Sequence, residues 1–287
     1  MSAKIIDGVA IAREVRAEWK LRADRLNSLG APPGLAVIMV GENPASRVYV
    51  RNKLRASAEM GIRSEQFLYA ADVAESQVLE RIATLNADPS CHGILVQLPL
   101  PPQISVRKVL ETISPDKDVD GFHLYNVGGL VAGGTVFPPC TPYGVLCLLD
   151  RSGIPIAGQN VTVVGASNIV GKPLGLMFLQ REATVAICHV KTRDLAQFTI
   201  AADILVVAAG QPNLITAPMV RTGAVVVDVG INRLPDGRLL GDVEFETVRL
   251  KTSYITPVPG GVGPMTVTML LCNTIASAER FLQAKAA

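Results

Sequence analysis

No part of this 287-residue chain is hydrophobic over a stretch long enough to cross a membrane. Its longest apolar runs, such as 34–40 and 204–209, have the length of buried strands, and the first residues form no signal-peptide core. Charge is nearly balanced, with 27 basic and 25 acidic residues, so the composition does not favour a nucleic-acid partner. We therefore expect a cytoplasmic protein that binds neither membrane nor nucleic acid.

Metal and disulfide patterns are missing as well. The five cysteines are scattered, odd in number and without a C-x-x-C pair, which argues against a disulfide framework and a zinc site. His92, His123 and His189 lie far apart and have no metal-ligand spacing. We expect most of the cysteines to be small buried hydrophobic residues, and we expect no bound metal.

Apolar runs of strand length alternate with segments of helical period along the whole chain. This alternation predicts an α/β fold with largely parallel sheets, and the length predicts two domains. The predicted strands lie near 35–40, 64–69, 93–97, 161–164, 184–189, 204–208 and 224–229. The predicted helices lie near 8–29, 44–60, 75–86, 104–112, 171–181, 194–201 and 265–285. The second half has the order of a Rossmann-like domain.

Thr141-Pro142 marks the predicted domain boundary. A threonine N-cap followed by proline at the first helical position predicts a connecting helix that ends near residue 151. We expect a first domain over 1–140 and a second over 141–264. The last helix, 265–287, is expected to pack back onto the first domain.

Tyr49 and Lys53 are four positions apart on a predicted helix and therefore share a face. A phenol ring beside an ammonium group can stack on a flat substrate and supply a group for proton transfer. The alternative is an ordinary amphipathic helix with a half-buried tyrosine and a solvated lysine.

Two further segments carry candidate polar groups. Gln97 interrupts a buried-strand pattern and needs a partner, either nearby backbone or a substrate. Asp120 lies in an acidic segment that is typical of solvated surface and has no calcium-loop pattern, yet one aspartate there can accept paired N–H bonds from a heterocycle. Leu98-Pro99 and Val258-Pro259 are possible sites of cis peptides.

The turn at Gly165, Ala166 and Ser167 lies between a predicted strand and helix, where backbone N–H groups and the helix dipole can hold a phosphate. Its residues depart from the standard dinucleotide-binding fingerprint, although its position between a strand and a helix agrees with that fingerprint. The next strand ends without an acid but is followed by Lys191 and Arg193, which favours NADP over NAD.

The loop 256–266 is rich in glycine and proline. Its glycines permit close approach of the backbone to a flat ligand, so Pro259, Gly260 and Gly261 are candidate binding residues. The alternative is a tight connection between two elements.

The segments 49–53, 97–101, 117–121, 165–167 and 257–264 together closely resemble the bifunctional methylenetetrahydrofolate dehydrogenase/cyclohydrolase family in order and spacing. The resemblance implies a folate-binding α/β domain that faces a Rossmann-like domain across a cleft. It implies oxidation of methylenetetrahydrofolate with NADP, followed by hydrolysis of the methenyl product to formyltetrahydrofolate. It also implies a homodimer, for which the apolar strand at 224–229 is a candidate neighbour of a covered sheet edge.

The resemblance also assigns roles to individual residues. Lys53 matches the catalytic lysine, Gln97 its partner, and Asp120 the carboxylate that holds the pterin. Tyr49 matches the ring that stacks on the folate, and Ser46 matches a residue that lines the substrate site.

Four residues match the family's cofactor contacts, namely Gly165, Ala166, Ser167 and Ile231. The chain departs from many relatives at Ala166, where they have arginine, and at Val190, where they have a polar or basic residue. These departures leave Lys191 and Arg193 as the candidate partners of the extra phosphate of NADP.

Two rival functions remain to be compared with this one. A non-catalytic folate- or nucleotide-binding protein is disfavoured because Lys53, Gln97 and Asp120 are all present. An amino-acid dehydrogenase of similar plan is disfavoured because no motif matches its substrate groups.

Overall fold

The computed structural model describes residues 2–286 and divides into two compact units. One unit contains residues 14–140 and those from 267 onward, and the other contains residues up to 13 together with 141–266. We call them the three-stranded unit and the six-stranded unit after their parallel sheets. Residues before 14 thus belong with the later part of the chain, whereas the sequence prediction placed them in the first domain.

In chain order the elements are β1 (Lys4–Ile5), α1 (Gly8–Ser28), β2 (Gly34–Val40), α2 (Pro44–Glu59), β3 (Arg63–Tyr69), α3 (Glu75–Ala87), β4 (Gly93–Val96), α4 (Val106–Thr112), α5 (Leu124–Ala132), α6 (Cys140–Arg151), β5 (Asn160–Val164), α7 (Gly171–Gln180), β6 (Thr184–Cys188), α8 (Leu195–Thr199), β7 (Ile204–Val207), β8 (Val225–Asp228), β9 (Asn232–Arg233), β10 (Leu239–Leu240), α9 (Phe245–Val248), β11 (Tyr254–Ile255) and α10 (Val262–Ala286). A short 3₁₀ helix covers Ala217–Met219.

The sheet of the three-stranded unit has the order β3-β2-β4, with every pairing parallel. All seven residues of the central strand β2 are buried, which is the pattern of a strand covered on both faces. Its core includes Ile38, Ile82 and Ile94, contributed by β2, α3 and β4. Candidate residues that follow β4 therefore lie at the carboxyl edge of this sheet.

The sheet of the six-stranded unit has the order β1-β11-β8-β7-β5-β6 and is also parallel throughout. Residues up to 13 join this unit because β1 pairs with β11. Strand β8 lies between β11 and β7, so it does not lie near a sheet edge, and that reason for a dimer is wrong. The carboxyl ends of β5, β7 and β8 lie side by side, where open α/β sheets bind ligands.

Several element boundaries differ from the sequence predictions. Helix α6 begins at Cys140, so Thr141 is not its N-cap and Pro142 is not its first residue. The sequence does not predict helices α5 and α9 or the short strands β1, β9, β10 and β11. In residues 2–286 no helix combines the length and apolar character needed to cross a membrane, and no cluster of three or more potential ligands is placed to hold a metal ion. None of the five cysteines forms a disulfide bond, and Cys147 is the one that is partly exposed.

Candidate functional site

Helix α2 directs Lys53 inward. Ser46, Val50, Lys53 and Ser57 form one buried stripe with helical spacing, and the lysine side chain is only 7% exposed. The alternative of a solvated lysine is therefore wrong. Tyr49 is 38% exposed, and burial of part of its ring raises the pKa of the phenol. The helix thus holds a buried ammonium group and a partly accessible aromatic ring one turn apart.

Gln97 follows β4 and is the hydrogen-bond partner of Lys53. The Nζ atom of Lys53 donates to Oε1 of Gln97 at 3.2 Å, and Nε2 of Gln97 donates to the carbonyl of Leu98 at 2.7 Å. The amide therefore contacts Lys53, the partner that the resemblance implies, and the local backbone, which is one of the two partners considered from the residues. The Leu98-Pro99 peptide that follows is cis.

Asp120 lies in the same unit as this pair. Burial raises the pKa of its carboxyl group, and the ammonium of Lys53 acts in the opposite direction. The thiol of Cys140 lies against the same carboxyl group, and burial raises the pKa of that thiol well above its usual value. Lys53 is therefore joined to Gln97 by a hydrogen bond and to Asp120 by the attraction of opposite charges. Such a group of side chains can move a proton and bind a ring that carries several N–H donors.

The segment that carries Asp120 is anchored rather than solvated. Lys117 is 2% exposed and donates to the carbonyls of Leu85, Asn86 and Asp88, which closes the C-terminal end of α3. Asp118 is 1% exposed and accepts from the N–H groups of the two residues after Gly121 and from the side chain of Asn126. The sequence prediction of a solvated acidic loop is wrong, and Lys117 and Asp118 were not recognised as supports of the site.

The loop that follows β11 lies in the six-stranded unit. Its Val258-Pro259 peptide is cis, and Gly260 has a φ of 106°, a conformation that favours glycine. A β-carbon at Gly8 would overlap the carbonyl of Gly261, so the first turn of α1 packs directly on this loop. The loop is thus held in one backbone conformation at Pro259, Gly260 and Gly261.

The turn after β5 is formed by close backbone contacts. Gly165 has a φ of 121°, and a β-carbon there would overlap the carbonyl of Ala208. A β-carbon at Gly171 would in turn overlap the carbonyl of Gly165. The Oγ atom of Ser167 accepts from the N–H of Val170 at 3.1 Å, close to the start of α7. Only glycine fits both positions, which leaves a concave turn at a helix N-terminus, suited to a phosphate group.

The basic residues after β6 are beside this turn. The N–H of Gly165 donates to the carbonyl of Cys188, the last residue of β6, at 2.9 Å. Lys191 and Arg193 follow on the exposed surface, and Val190 is 95% exposed. Two cations therefore lie at the strand end where a Rossmann domain contacts the ribose of its cofactor.

Ile231 follows the end of β8 and is 43% exposed. Its side chain lies 3.6 Å from the position that a β-carbon of Gly263 would occupy. The structure therefore places Gly165, Ala166, Ser167 and Ile231 at the same carboxyl edge of the six-stranded sheet.

Comparison with known proteins agrees with this geometry. Residues 6–120 match the catalytic domain of tetrahydrofolate dehydrogenase/cyclohydrolase, and residues 139–282 match the NAD(P)-binding domain of the same family. A curated relative, the bifunctional protein FolD of Nitrosospira multiformis, is 60% identical over 280 residues, which is 98% of this chain and 97% of that protein.

Two solved structures are similar over the whole fold. The bifunctional enzyme FolD of Campylobacter jejuni is 50% identical, with a TM-score of 0.95, over 97% of this chain and 99% of that one. The FolD of Trypanosoma brucei, solved with NADP and an inhibitor, is 39% identical, with a TM-score of 0.95, over 99% of both chains.

Proposed function

The chain belongs to the tetrahydrofolate dehydrogenase/cyclohydrolase family, and we propose that it catalyses both reactions of that family's name in sequence. It oxidises 5,10-methylenetetrahydrofolate to 5,10-methenyltetrahydrofolate with NADP and then hydrolyses the product to 10-formyltetrahydrofolate. The observation that carries the proposal is the buried Lys53, hydrogen-bonded to Gln97 and coupled to Asp120.

The three-stranded unit supplies the folate-binding residues in this proposal. The partly exposed ring of Tyr49 stacks on the substrate, and the carboxyl group of Asp120 accepts N–H bonds from the pterin. Ser46 lies on the same helix stripe as Lys53 and lines the substrate site. The backbone groups of Pro259 and Gly260, with those of the glycine that follows, are further candidates for contact with a flat ligand.

The six-stranded unit binds NADP. The turn at Gly165 holds the phosphates that link the two nucleotides with the backbone N–H groups of Ala166 and Ser167, because the turn opens onto the N-terminus of α7. Lys191 and Arg193 pair with the additional phosphate that distinguishes NADP from NAD. Ile231 packs against the bound cofactor.

For the dehydrogenase step, NADP held by the turn at Gly165 and by Lys191 and Arg193 would supply the acceptor for a hydride from the methylene bridge of the substrate. The folate is already activated by its own nitrogens, so the residues of the chain mainly align and enclose it. Tyr49 and Asp120 fix the pterin, and no residue of the chain has to change its protonation state.

The hydrolysis step requires proton transfer. Water adds to the methenyl carbon of the cationic substrate and loses a proton. The bond from that carbon to the pterin nitrogen then breaks as this nitrogen gains a proton and the added hydroxyl group loses one to become the formyl carbonyl, so one proton is released overall. Lys53 carries the proton between these positions, and Gln97 fixes its Nζ atom through the 3.2 Å hydrogen bond.

An absorbance assay tests the function. Methylenetetrahydrofolate with NADP should produce reduced cofactor and then formyltetrahydrofolate, whereas added methenyltetrahydrofolate should be hydrolysed without any cofactor. NAD should support the first reaction less efficiently. A purified, folded protein that binds folate but catalyses neither reaction would instead be a binding protein, and turnover of amino acids in place of folate would indicate the rival dehydrogenase.

We further propose that the protein acts in the cytoplasm as a homodimer. Family membership supports the dimer. Light scattering should give twice the mass of one chain, and fractionation of cells should place the activity in the cytosolic fraction. A single-chain mass at micromolar concentration would contradict the dimer.

A further inference from the structure

Two buried carboxylates join the ends of neighbouring strands in the six-stranded unit, and neither was predicted as a site residue. Asp242 follows β10 and is 0% exposed, and Asp228 ends β8 and is 4% exposed. Such buried anions need several hydrogen-bond donors, because burial without partners is strongly unfavourable.

Asp242 receives three donors. Its Oδ2 accepts from the N–H groups of Ala209 at 2.6 Å and Gly210 at 2.8 Å, shortly after the end of β7. Its Oδ1 accepts from Nδ2 of Asn232 at 2.8 Å. A β-carbon at Gly230 would overlap the carboxyl group, so the backbone after β8 packs directly against it. One side chain therefore fixes the segments after two adjacent strands.

Asp228 fixes Asp242 in turn. Its Oδ1 accepts from the N–H of Gly230 at 2.9 Å and from the N–H of Asp242 at 3.0 Å, and its Oδ2 accepts from Val243 at 2.9 Å. Burial, with a smaller contribution from Asp242, raises the pKa of Asp228 to about 6, partly offset by these N–H groups. The two carboxylates thus receive six donors and connect three loop segments.

This arrangement continues to the phosphate-binding turn. The carbonyl of Ala208, adjacent to the segment that Asp242 holds, is the atom against which Gly165 packs. The residue after Gly230 is Ile231, which begins the segment that returns to Asp242. A shift of the Asp242 carboxyl group would therefore move both parts of the proposed cofactor surface.

We propose that Asp242 is a positioning residue for NADP, which aligns the segments after β7 and β8 with the Gly165 turn. The proposal rests on the proposed function, since it assumes that this edge binds the dinucleotide. It goes beyond that function by assigning cofactor affinity to a carboxylate buried beneath the binding surface.

The variant Asp242→Asn tests this directly. An amide retains one acceptor for Ala209 and Gly210 but directs an N–H donor at Nδ2 of Asn232, so that contact becomes a clash of donors. We expect the dissociation constant of NADPH, measured by fluorescence titration without substrate, to rise on the order of tenfold. The KM for NADP should rise more than kcat falls, and cofactor-free hydrolysis of methenyltetrahydrofolate should fall much less than NADPH affinity.

A compensating variant and a matched control complete the design. In the double variant Asp242→Asn with Asn232→Asp, the amide at position 242 donates to the carboxylate at position 232, so the hydrogen bond is restored in the opposite direction. The double variant should therefore recover most of the NADPH affinity. Asp236→Asn makes the same chemical change at an exposed carboxylate on the same hairpin, paired with Arg238, and should change nothing. If Asp242→Asn does not fold, Asn232→Ala removes one donor and should weaken NADPH binding severalfold.

Three outcomes would overturn the proposal. They are unchanged NADPH affinity in a folded Asp242→Asn protein, equal losses of NADPH binding and hydrolysis, and no recovery in the double variant. Failure of the proposed function is distinguishable, because it would appear as absent folate chemistry in the unmodified protein while the NADPH titration still reports on Asp242.

Discussion

Acidification should destabilise the protein through His92. This residue precedes β4, is 7% exposed, and accepts the N–H of Gly34 on Nδ1 at 3.0 Å. Its ring meets that of Phe281 edge-on, with centroids 5.6 Å apart. Burial, followed by the positive charge of Lys117, lowers the pKa of the imidazole to about 4. The folded protein therefore needs the neutral ring, and protonation of Nδ1 would remove its hydrogen bond.

The direction and size of the change in stability follow from the protonation of His92 in the unfolded and in the folded chain. An unfolded histidine has a pKa of about 6.5, so between about pH 6.5 and pH 4 the unfolded chain binds a proton that the folded chain does not. Stability must therefore fall as the pH falls through this window. At pH 5 the loss from His92 amounts to about 2 kcal/mol of the free energy of unfolding relative to pH 8.

Urea unfolding at pH 8 and pH 5 measures this loss. In His92→Asn the Oδ1 atom can accept from Gly34 without titrating, so the variant should lose about 2 kcal/mol less than the unmodified protein on acidification. Comparing each protein with itself at two pH values removes the packing change that the smaller side chain causes. His189→Asn makes the same substitution at an exposed position and serves as the comparison. An identical pH dependence in His92→Asn would refute the reasoning.

Two other substitutions address the cofactor turn. Gly165→Ala places a β-carbon on a backbone carbonyl at positive φ and should raise the NADPH dissociation constant at least about tenfold. Gly128→Ala, at an open position, should not. Reversing the charge at Lys191 and Arg193 should narrow the ratio of NADP to NAD efficiency, with NAD kinetics nearly unchanged. If the unmodified protein already uses NAD as efficiently as NADP, the role of these cations is wrong.

The main strands are predictable from the sequence because each is a continuous run of buried, mostly branched residues. Helix α5 is not, since Gly128 and Gly129 interrupt its helical pattern. Its ends do carry a signal, with His123 accepting from the N–H of Tyr125 and Gly133 in the left-handed conformation. Strand β1 has only two residues, and it is identified by its pairing with β11 rather than by any periodicity.

The residues of the candidate site also divide into those that the sequence predicts and those that it does not. Lys53 and Tyr49 are predictable because helical spacing places them on one face. Asp242 is not predictable, because its donors at Ala209 and Gly210 are 33 and 32 positions away and only the sheet order brings them together. The sequence predicts an exposed position for Lys117, because lysine is rarely buried. The carbonyl groups to which it donates belong to the end of a helix about 30 positions away in the sequence.

The central claim is that one buried lysine carries the proton of the hydrolysis step while the hydride step needs alignment alone. Lys53→Met keeps most of the apolar stem and removes the ammonium group that donates to Gln97. Arg51→Met, at an exposed position of the same helix, is the matched control. Thermal melting and NADPH titration establish that each variant is folded and binds cofactor.

The deciding measurement is the rate of methenyltetrahydrofolate hydrolysis by Lys53→Met relative to its dehydrogenase rate. Loss of one acid–base group lowers a rate by on the order of 100-fold to 10,000-fold, so hydrolysis should nearly vanish while the dehydrogenase rate falls much less. Arg51→Met should retain both activities. A folded Lys53→Met protein that hydrolyses methenyltetrahydrofolate at the unmodified rate would contradict both the role of the lysine and the assignment of the site.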